Sequence, residues 1–430
     1  MSDSIDVLIV GGGFGGAYAA LALEQAAHGQ TIQAWLVAPE NFLLFSPLLP
    51  EAASGTIEPR HAVIPVRELL RSTRLVAGEV TAIDLSGKQA TVAHASGEVR
   101  TVTFKTLVLS PGSVPTTFPI PGLLDNAVGF KTLADAIWLR NRVLHELEVA
   151  DGEPDQERRR QLLTFTFVGG GYAGVEALAE LESLVRDALH RYPRLRRADF
   201  RWVLVEARDT LLPGLSPKLS AYTEKELRRQ GIEVHLNTRM ESCADKRVVL
   251  SNRAVEPYIS DTIVWTAGQK PSPLITDLGL DLDPQGRIVV DDHLRVPGTP
   301  GVYAVGDSAA VPDPDGGTCP GTAQHAMRQG KRCGLNVAAD YGAGHAGPFT
   351  YRTRGLAVTL GKGNGTAQVR QYTFRGWPAW WMGRAYHLLM MPGLARKTRV
   401  AMDWAVGLVF HRDIAQLGQL GRPTPLQSTQ

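Results

Sequence analysis

Two stretches of this chain put glycines where a main chain must come close to phosphate. Gly11-Gly12-Gly13-Phe14-Gly15-Gly16 follows Asp6-Val7-Leu8-Ile9-Val10, and Gly169-Gly170-Gly171-Tyr172-Ala173-Gly174 follows Thr164-Phe165-Thr166-Phe167-Val168, 158 residues later. Each copy is a short apolar run of strand-forming residues, then G-x-G-x-x-G, then a stretch rich in alanine and leucine with helix propensity. In that frame Gly11 and Gly169 make the tight turn. Gly13 and Gly171 let the backbone approach a pyrophosphate, and Gly16 and Gly174 let helix and strand pack closely. The helix N-terminus adds partial positive charge for the phosphates. Two correctly framed copies imply two dinucleotides in one protein, with electrons passing between them.

Further acidic and polar residues fall around these loops. Glu206 ends the strand-like run Phe200–Val205, where a carboxylate accepts hydrogen bonds from a ribose diol and repels a 2′-phosphate. It favours NADH over NADPH, although it stands 37 residues after Gly169 and Arg208 is near. In the first unit the corresponding strand ends Ala38-Pro39-Glu40, so either Glu40, two places late, or backbone groups meet the ribose. Gly306-Asp307 follows the apolar run Gly301–Val305, and its carboxylate could accept from a ribityl hydroxyl. A helix from near Pro320 through Gln329 to Asn336 would aim its N-terminus at the N1/C2=O edge of a flavin. Glu176 and Glu180 share a helix face, as nicotinamide neighbours or simply as dipole partners. Gln324 and Gln329 read as solvated helix glutamines and His325 as a satisfied surface histidine; residue chemistry alone assigns them no role.

The elements that must position these groups alternate. Ile32–Val37, Leu75–Asp84, Gln89–Ala93 and Thr106–Ser110 read as strands of the first unit, and Asp151–Asp155 as a polar linker into the second. Asp261–Trp265 leads into Thr266-Ala267-Gly268, and Gly342–Gly347 links to a tail. At 430 residues, 44% hydrophobic and 20% charged, the chain has room for two or three domains of ordinary globular composition. Cys243, Cys319 and Cys333 share no metal-ligand spacing, so neither a disulfide framework nor a metal site is expected. The N-terminus carries no basic n-region, so no signal peptide is expected. Residues 351–430 hold eleven Lys or Arg, Arg354 and Arg422 among them, against Asp403 and Asp413. Trp377, Trp380, Trp381 and Trp404 are half of the chain's eight tryptophans. This mixture suits an anionic membrane surface or a basic, solvated cap; charges interrupt every apolar run, so no spanning helix is expected.

On these residues the chain resembles the type II NADH dehydrogenases, the non-pumping NADH:quinone oxidoreductases among the two-dinucleotide flavoproteins. The resemblance runs through Asn41–Leu49, Leu109–Gly112, Ile120–Gly122, Lys131–Leu133, Gly169–Glu176, Glu206-Ala207, Trp265–Gly268 and Ala304–Asp307. It extends to Ala323-Gln324-His325-Ala326 with Gln329, and to the tail from Gly355 to Asp413. It implies an α/β protein with two Rossmann-like domains. FAD would take residues 1–155 and 290–345, NADH 160–289, with a membrane-associating region at 346–430. FAD contacts implied are Gly11, Gly13, Phe14, Gly15, Gly16, Glu40, Val80, Ser110, Gly112, Asp307, Ala323 and Gln324. NADH contacts are Gly169, Gly171, Gly174, Glu176, Glu206, Ala267 and Gly268. Glu176 would sit by the nicotinamide and flavin, with Gln324 and Gln329 lining a quinone pocket. Departures from the family pattern are Pro111 for threonine, Ala38 for the ribose acid, Arg328 for glutamine, and Arg375-Gly376 where some members place a lysine.

The expected reaction is hydride transfer from NADH to FAD, then two electrons to menaquinone or ubiquinone. It would proceed at the cytoplasmic face of the cell membrane, on a peripheral protein with no nucleic-acid partner and possible homodimerisation. A disulfide reductase is excluded because residues 1–150 contain no cysteine. A sulfide:quinone-type enzyme, a protein electron carrier as acceptor, and a redox-dependent sensor remain alternatives.

Overall fold

The computed structural model describes residues 3–27, 31–353 and 355–416; Arg354 and Arg422 of the basic tail lie outside them. Strand β1 (Asp3–Val10) feeds helix α1 (Phe14–Ala26) and is followed by β2 (Ala34–Ala38). A short helix, α2 (Leu49–Ala53), precedes β3 (Arg74–Asp84), β4 (Gln89–His94) and β5 (Val99–Leu109). Next come β6 (Ala127–Gly129), α3 (Leu133–Gly152), β7 (Thr164–Val168), α4 (Tyr172–Ala188) and β8 (Arg201–Val205). Then follow β9 (Ile232–His235), β10 (Thr262–Trp265), β11 (Val302–Ala304) and α5 (Ala323–Asp340). A three-stranded meander, β12 (Gly355–Thr359), β13 (Gly365–Val369) and β14 (Tyr372–Arg375), leads into α6 (Gly376–Met390) and α7 (Leu394–Val409).

The chain divides into two units. The first comprises Met1–Phe45, Val63–Thr116 and Gln269–Arg354. Its centre is a parallel array in which β1 lies between β2 and β5, with β11 beyond β5. Val7, Leu8, Ile9, Leu36, Leu107 and Val108 are buried, as expected where a parallel sheet is covered on both faces. The long strands β3 and β5 serve twice. Arg74–Ala77 and Val102–Leu109 join the parallel array, while Gly78–Asp84 and Val99–Thr103 pair with β4 in an antiparallel meander. On one face α5 crosses α1 at minimal distance. A Cβ added at Gly330 would stand 2.2 Å from the carbonyl oxygen of Gly15, and one at Gly334 2.2 Å from that of Ala19.

The second unit comprises Ser46–Ala62, Thr117–Gly268 and Gly355–Gln430. Its sheet is all parallel, in the order β9-β8-β7-β10-β6. Phe165, Phe167, Val203, Leu204 and Val264 fill its interior.

The compact units divide at other residues than the expected nucleotide domains, for a reason visible in the strand pairing. Ala127–Gly129 adds an edge strand to the second sheet, carrying the residues after Thr117 with it. Gln269–Pro271 pairs antiparallel with Ser113–Pro115 of the first unit, so the return falls at Gln269. The reading of Asp151–Asp155 as a linker also shifts, because α3 runs on to Gly152 and a new helical turn starts at Gln156.

The α1–α5 contact makes a direct prediction. Gly334→Val should lower the unfolding free energy by about 2 kcal/mol or more, because its side chain meets fixed backbone. Gly152→Ala, whose added carbon meets nothing within 4 Å, should not destabilise the chain. Thermal or denaturant unfolding of the two variants checks this.

Candidate active site: two nucleotide loops

Strand register assembles the first site within the first unit. Val10 stands opposite Leu109, and Leu109 opposite Ala304, so three parallel strands end at one level. Their continuations, Gly11, Ser110 and Val305-Gly306, therefore meet at the carboxyl edge of the sheet, where open α/β sheets bind ligands. At Gly11 φ is +101°, and an added Cβ would lie 2.1 Å from the Ser110 carbonyl oxygen. A Cβ at Gly16 would lie 1.9 Å from the Gly11 oxygen and one at Gly15 2.4 Å from Ser110 Oγ. Gly13, by contrast, faces open space. It is the N-cap of α1 with no side-chain cap, and the first turn holds no acid. The N–H groups of such an uncapped first turn suit a phosphate anion. Phe14 packs edge-on against Phe45 at 5.7 Å.

A hydroxyl group holds the acid of this site, and a second ties the loop beside it. Ser113 Oγ donates to Asp307 Oδ2 at 2.7 Å, and the Gly112 N–H donates to Ser308 Oγ at 3.0 Å. Gln329 is buried, and its Oε1 accepts from the Gly306 N–H at 2.9 Å. Gln324 Oε1 accepts from the Tyr351 hydroxyl at 3.0 Å, and the Arg328 guanidinium lies 4.1 Å over that ring. Ala323 opens α5 behind the Thr322 N-cap. The structure thus gathers Gly11, Gly15, Gly16, Ser110, Gly112, Asp307 and Gln329. Val80 lies buried where β3 pairs with β4, and Glu40 is exposed just after β2. Two readings are corrected here: Gln329 is not solvated, and His325 is satisfied but 1% exposed rather than a surface residue. Thr353 and Tyr351 cover His325 and the Gly306 main chain meets Gln329, which periodicity within α5 does not reveal.

The second site repeats the arrangement within the second unit. Val168 stands opposite both Val205 and Trp265, so Gly169, Glu206 and Thr266 meet at one sheet edge. Thr266 Oγ1 donates across the turn, 3.0 Å from the Val168 oxygen and 3.1 Å from that of Gly169. Ala267 and Gly268 continue this edge, with Gly268 at φ +82°. A Cβ at Gly174 would stand 2.1 Å from the Gly169 oxygen, whereas Gly171 has nothing within 4 Å and caps α4 without a side chain. Glu206 Oε2 accepts from the Gly170 N–H at 2.5 Å, and Oε1 from the Arg208 N–H at 2.9 Å. The carboxylate is fixed beside the loop, with lone pairs left for a ribose diol.

Glu176 is neither a first-turn dipole partner nor unpaired. The first turn of α4 contains no acid. Glu176 Oε1 accepts instead from the Thr359 N–H at 2.9 Å, from the edge of the C-terminal meander. Burial, with Glu180 and Glu51 adding repulsion, pushes its carboxyl up to about 8.

One turn on, Ser54 Oγ and Arg412 Nη2 each donate to Glu180 Oε2 at 3.1 Å. Glu51 accepts from Arg384 Nε at 3.1 Å and from the Trp404 indole. Arg384 in turn lies 3.8 Å over the Trp380 ring and 4.9 Å over that of Trp404. These buried pairs tie the C-terminal region to α2 and α4. Sequence reasoning missed Glu51, Thr359 and Ser308, whose partners lie too far along the chain for any spacing rule.

Comparisons with known proteins agree with this geometry. Residues 5–330 match the family model of the pyridine nucleotide-disulphide oxidoreductases. The type II NADH:quinone oxidoreductase Ndh of Mycobacterium tuberculosis is 31% identical, covering 94% of this chain and 88% of its own length. The demethylphylloquinone reductase NdbB of Synechocystis is 30% identical, covering 93% of this chain and 95% of its own. NDH2 from Plasmodium falciparum, solved in complex with NADH, shares the fold with a TM-score of 0.85 at 18% identity, over 96% of this chain and 99% of that one. The chain is thus a pyridine nucleotide-disulphide oxidoreductase by fold and motif. Within that class it belongs to the type II NADH:quinone oxidoreductases. All three cysteines are free and buried.

Two predictions concern the acids. Because the Glu176 pKa is raised, the folded chain keeps a proton that the unfolded chain releases above about pH 4.3. Its favourable contribution is complete at low pH and is lost as pH climbs toward 8. Glu176→Gln should therefore be more stable than the parent by roughly 3–5 kcal/mol at pH 8, with the gap closing near pH 4.5; unfolding curves at the two pH values test it. Glu206→Gln should lower the ratio of kcat/KM for NADH to that for NADPH by about tenfold, as for loss of one charge-assisted hydrogen bond; steady-state assays with both nucleotides read this directly.

Proposed function

We propose that this chain oxidises NADH and reduces a membrane quinone, with the first glycine loop holding FAD permanently and the second receiving NADH. The observation that carries the reading is the pair of strand-end loops with uncapped helix N-termini, one backed by Asp307 and the other by Glu206. Bound FAD would accept the hydride and hand on two electrons. The chain's own work is to bind, orient and exclude water. Gly11, Gly13 and the α1 N-terminus hold the pyrophosphate; Gly112, Asp307 and the start of α5 orient the flavin end. Glu206 selects the ribose diol. Glu176, protonated at neutral pH, presents an uncharged acid by the nicotinamide loop. Gln324 and Gln329 fix the start of α5 at the acceptor side.

The tail supports a peripheral membrane position on the cytoplasmic face, where NADH is available. Among the described residues no helix is long and apolar enough to cross a membrane. Instead, large apolar side chains stand exposed along α6 and α7: Trp377, Leu389, Leu394 at 81%, Met402, Val406 and Val409 at 77%. Arg396, Lys397 and Arg399 are interleaved with them. An apolar face beside cations lies in the headgroup region of an anionic bilayer.

The decisive assay mixes the yellow protein anaerobically with NADH, follows bleaching, then adds a quinone in liposomes. Bleaching followed by quinone-driven recovery supports the reading; bleaching without recovery removes the quinone half. The tail makes its own prediction. Replacing Leu394 and Val409 by aspartate should cut co-sedimentation with anionic liposomes at least tenfold, while bleaching by NADH and turnover with a water-soluble quinone stay near parental values.

A further inference from the structure

One set of side chains has donor chemistry that the proposed reaction leaves unused. Asp313, Cys319 and His325 follow one another at six-residue intervals. Their carboxylate, thiol and imidazole donor atoms all lie within 4.8 Å of one another. Cys319 and His325 are buried, and Asp313 is partly so. Cysteine spacing gave no hint of this group, since only one thiol takes part.

The backbone holds the three in place. Pro312 and Thr318 form an antiparallel bridge, and the Asp313 N–H donates to the Gly317 oxygen at 3.0 Å, closing a tight turn. The Cys319 N–H donates to the Val311 oxygen at 2.8 Å. This folds Asp313 back beside Cys319. His325 lies in the first turn of α5. Its Nδ1 is 2.8 Å from Thr322 Oγ1 and its Nε2 3.3 Å from Thr353 Oγ1, while Tyr351 packs edge-on at 5.2 Å. Both ring partners are hydroxyls, which can donate or accept, so either tautomer is accommodated without moving the ring. The Cys319 thiol donates weakly to the Pro312 carbonyl at 3.6 Å and also interacts with the Gln329 side chain, so an ion would replace weak thiol contacts. These groups are ordered before any ion arrives, which lowers the entropic cost of binding one.

We propose that Asp313, Cys319 and His325 form a binding site for a borderline-soft divalent transition metal ion, with Zn2+ as the fitting species. Thiolate, imidazole and carboxylate are the three donor types zinc accepts, and the mixture excludes Mg2+ and Ca2+, which require oxygen alone. Three protein donors leave a coordination position for water, as in open rather than closed sites. Binding joins the 311–319 turn to the first turn of α5, the turn that carries Gln324. The metal thereby restrains the helix that the proposed reaction places at the acceptor side. Binding itself does not depend on that reaction, so it is measured apart from turnover.

The test uses the FAD-loaded protein, stripped with a chelator, equilibrated with one equivalent of Zn2+, passed through a desalting column and analysed for metal per chain. The expected result is close to one Zn2+ per chain for the parent and for the control Cys333→Ser. Cys319→Ser and His325→Ala should retain less than a tenth of that, and Asp313→Asn, which removes a partly exposed donor, should weaken binding at least tenfold. Co2+ in place of Zn2+ should give a near-ultraviolet thiolate band that Cys319→Ser abolishes. Thermal melts of each variant establish that it is folded. Absence of retained metal in the parent overturns the proposal. So does retention that survives Cys319→Ser, or that is lost instead with His293→Ala, which would place the ion at the exposed Asp291, Asp292 and His293 group.

Discussion

At each of two strand-to-helix turns, the main chain folds back on itself so tightly that no side chain fits between its ends. Gly16 touches the carbonyl oxygen of Gly11 and Gly174 that of Gly169, at distances an added carbon would bring to 1.9 and 2.1 Å. That approach sets the angle at which each helix leaves its strand. It leaves Gly13 and Gly171 as bare N-caps facing open space, and the first-turn N–H groups without side-chain partners. An anion satisfies such groups at no cost of rearrangement. Everything else in the two sites is placed relative to these turns. Parallel register brings Ser110 and Gly306 to the first loop, and Glu206 and Thr266 to the second.

Charge is handled differently in the two units. In the first, Asp307 keeps a hydroxyl partner at a partly open sheet edge. In the second, three carboxylates, Glu51, Glu176 and Glu180, share the neighbourhood of α2 and α4. Burial pushes the Glu51 carboxyl up, against the pull of Arg384, and holds Glu176 near 8. Arg384 pairs with Glu51 and Arg412 with Glu180, whereas among the described residues Glu176 accepts from the N–H and hydroxyl of Thr359. An acid left without a cation in a low-dielectric site retains its proton at neutral pH. The same arginines come from the C-terminal region, so its attachment and the state of these acids rest on one set of interactions. Removing one member would leave the other buried and uncompensated, the costliest change open to such a pair.

Much of this was legible in the sequence. The glycine loops, the Glu206 and Asp307 strand ends and the long helix of α5 come from local chemistry: φ > 0 turns, strand-terminating acids and helical spacing. The strands 74–84 and 89–94 were readable from the turn at Ser86-Gly87. What failed depended on partners distant in the chain. Ala127–Gly129 carries no mark of its own that assigns it to the second sheet. The burial of Gln329 and His325 is set by Gly306, Thr353 and Tyr351, not by the amphipathic pattern of α5. The dipole-partner alternative for Glu176 arose because its acceptor role toward Thr359 spans 183 residues. Resemblance supplied the roles of the nucleotides; register supplied the reason these residues meet.

The most direct test separates the two loops. Gly13 and Gly171 have ordinary negative φ values, −72° and −77°, and no atom within 4 Å of an added Cβ, so an aspartate fits either without strain. It does, however, place negative charge where each phosphate would bind. Flavin absorbance and its bleaching by NADH are measured for Gly13→Asp and Gly171→Asp. The account requires the first to be folded but colourless, and the second to be yellow but bleached by NADH only at much higher concentration. If both remain yellow and bleach normally, or if Gly171→Asp alone loses the flavin, the assignment of one nucleotide to each loop is wrong.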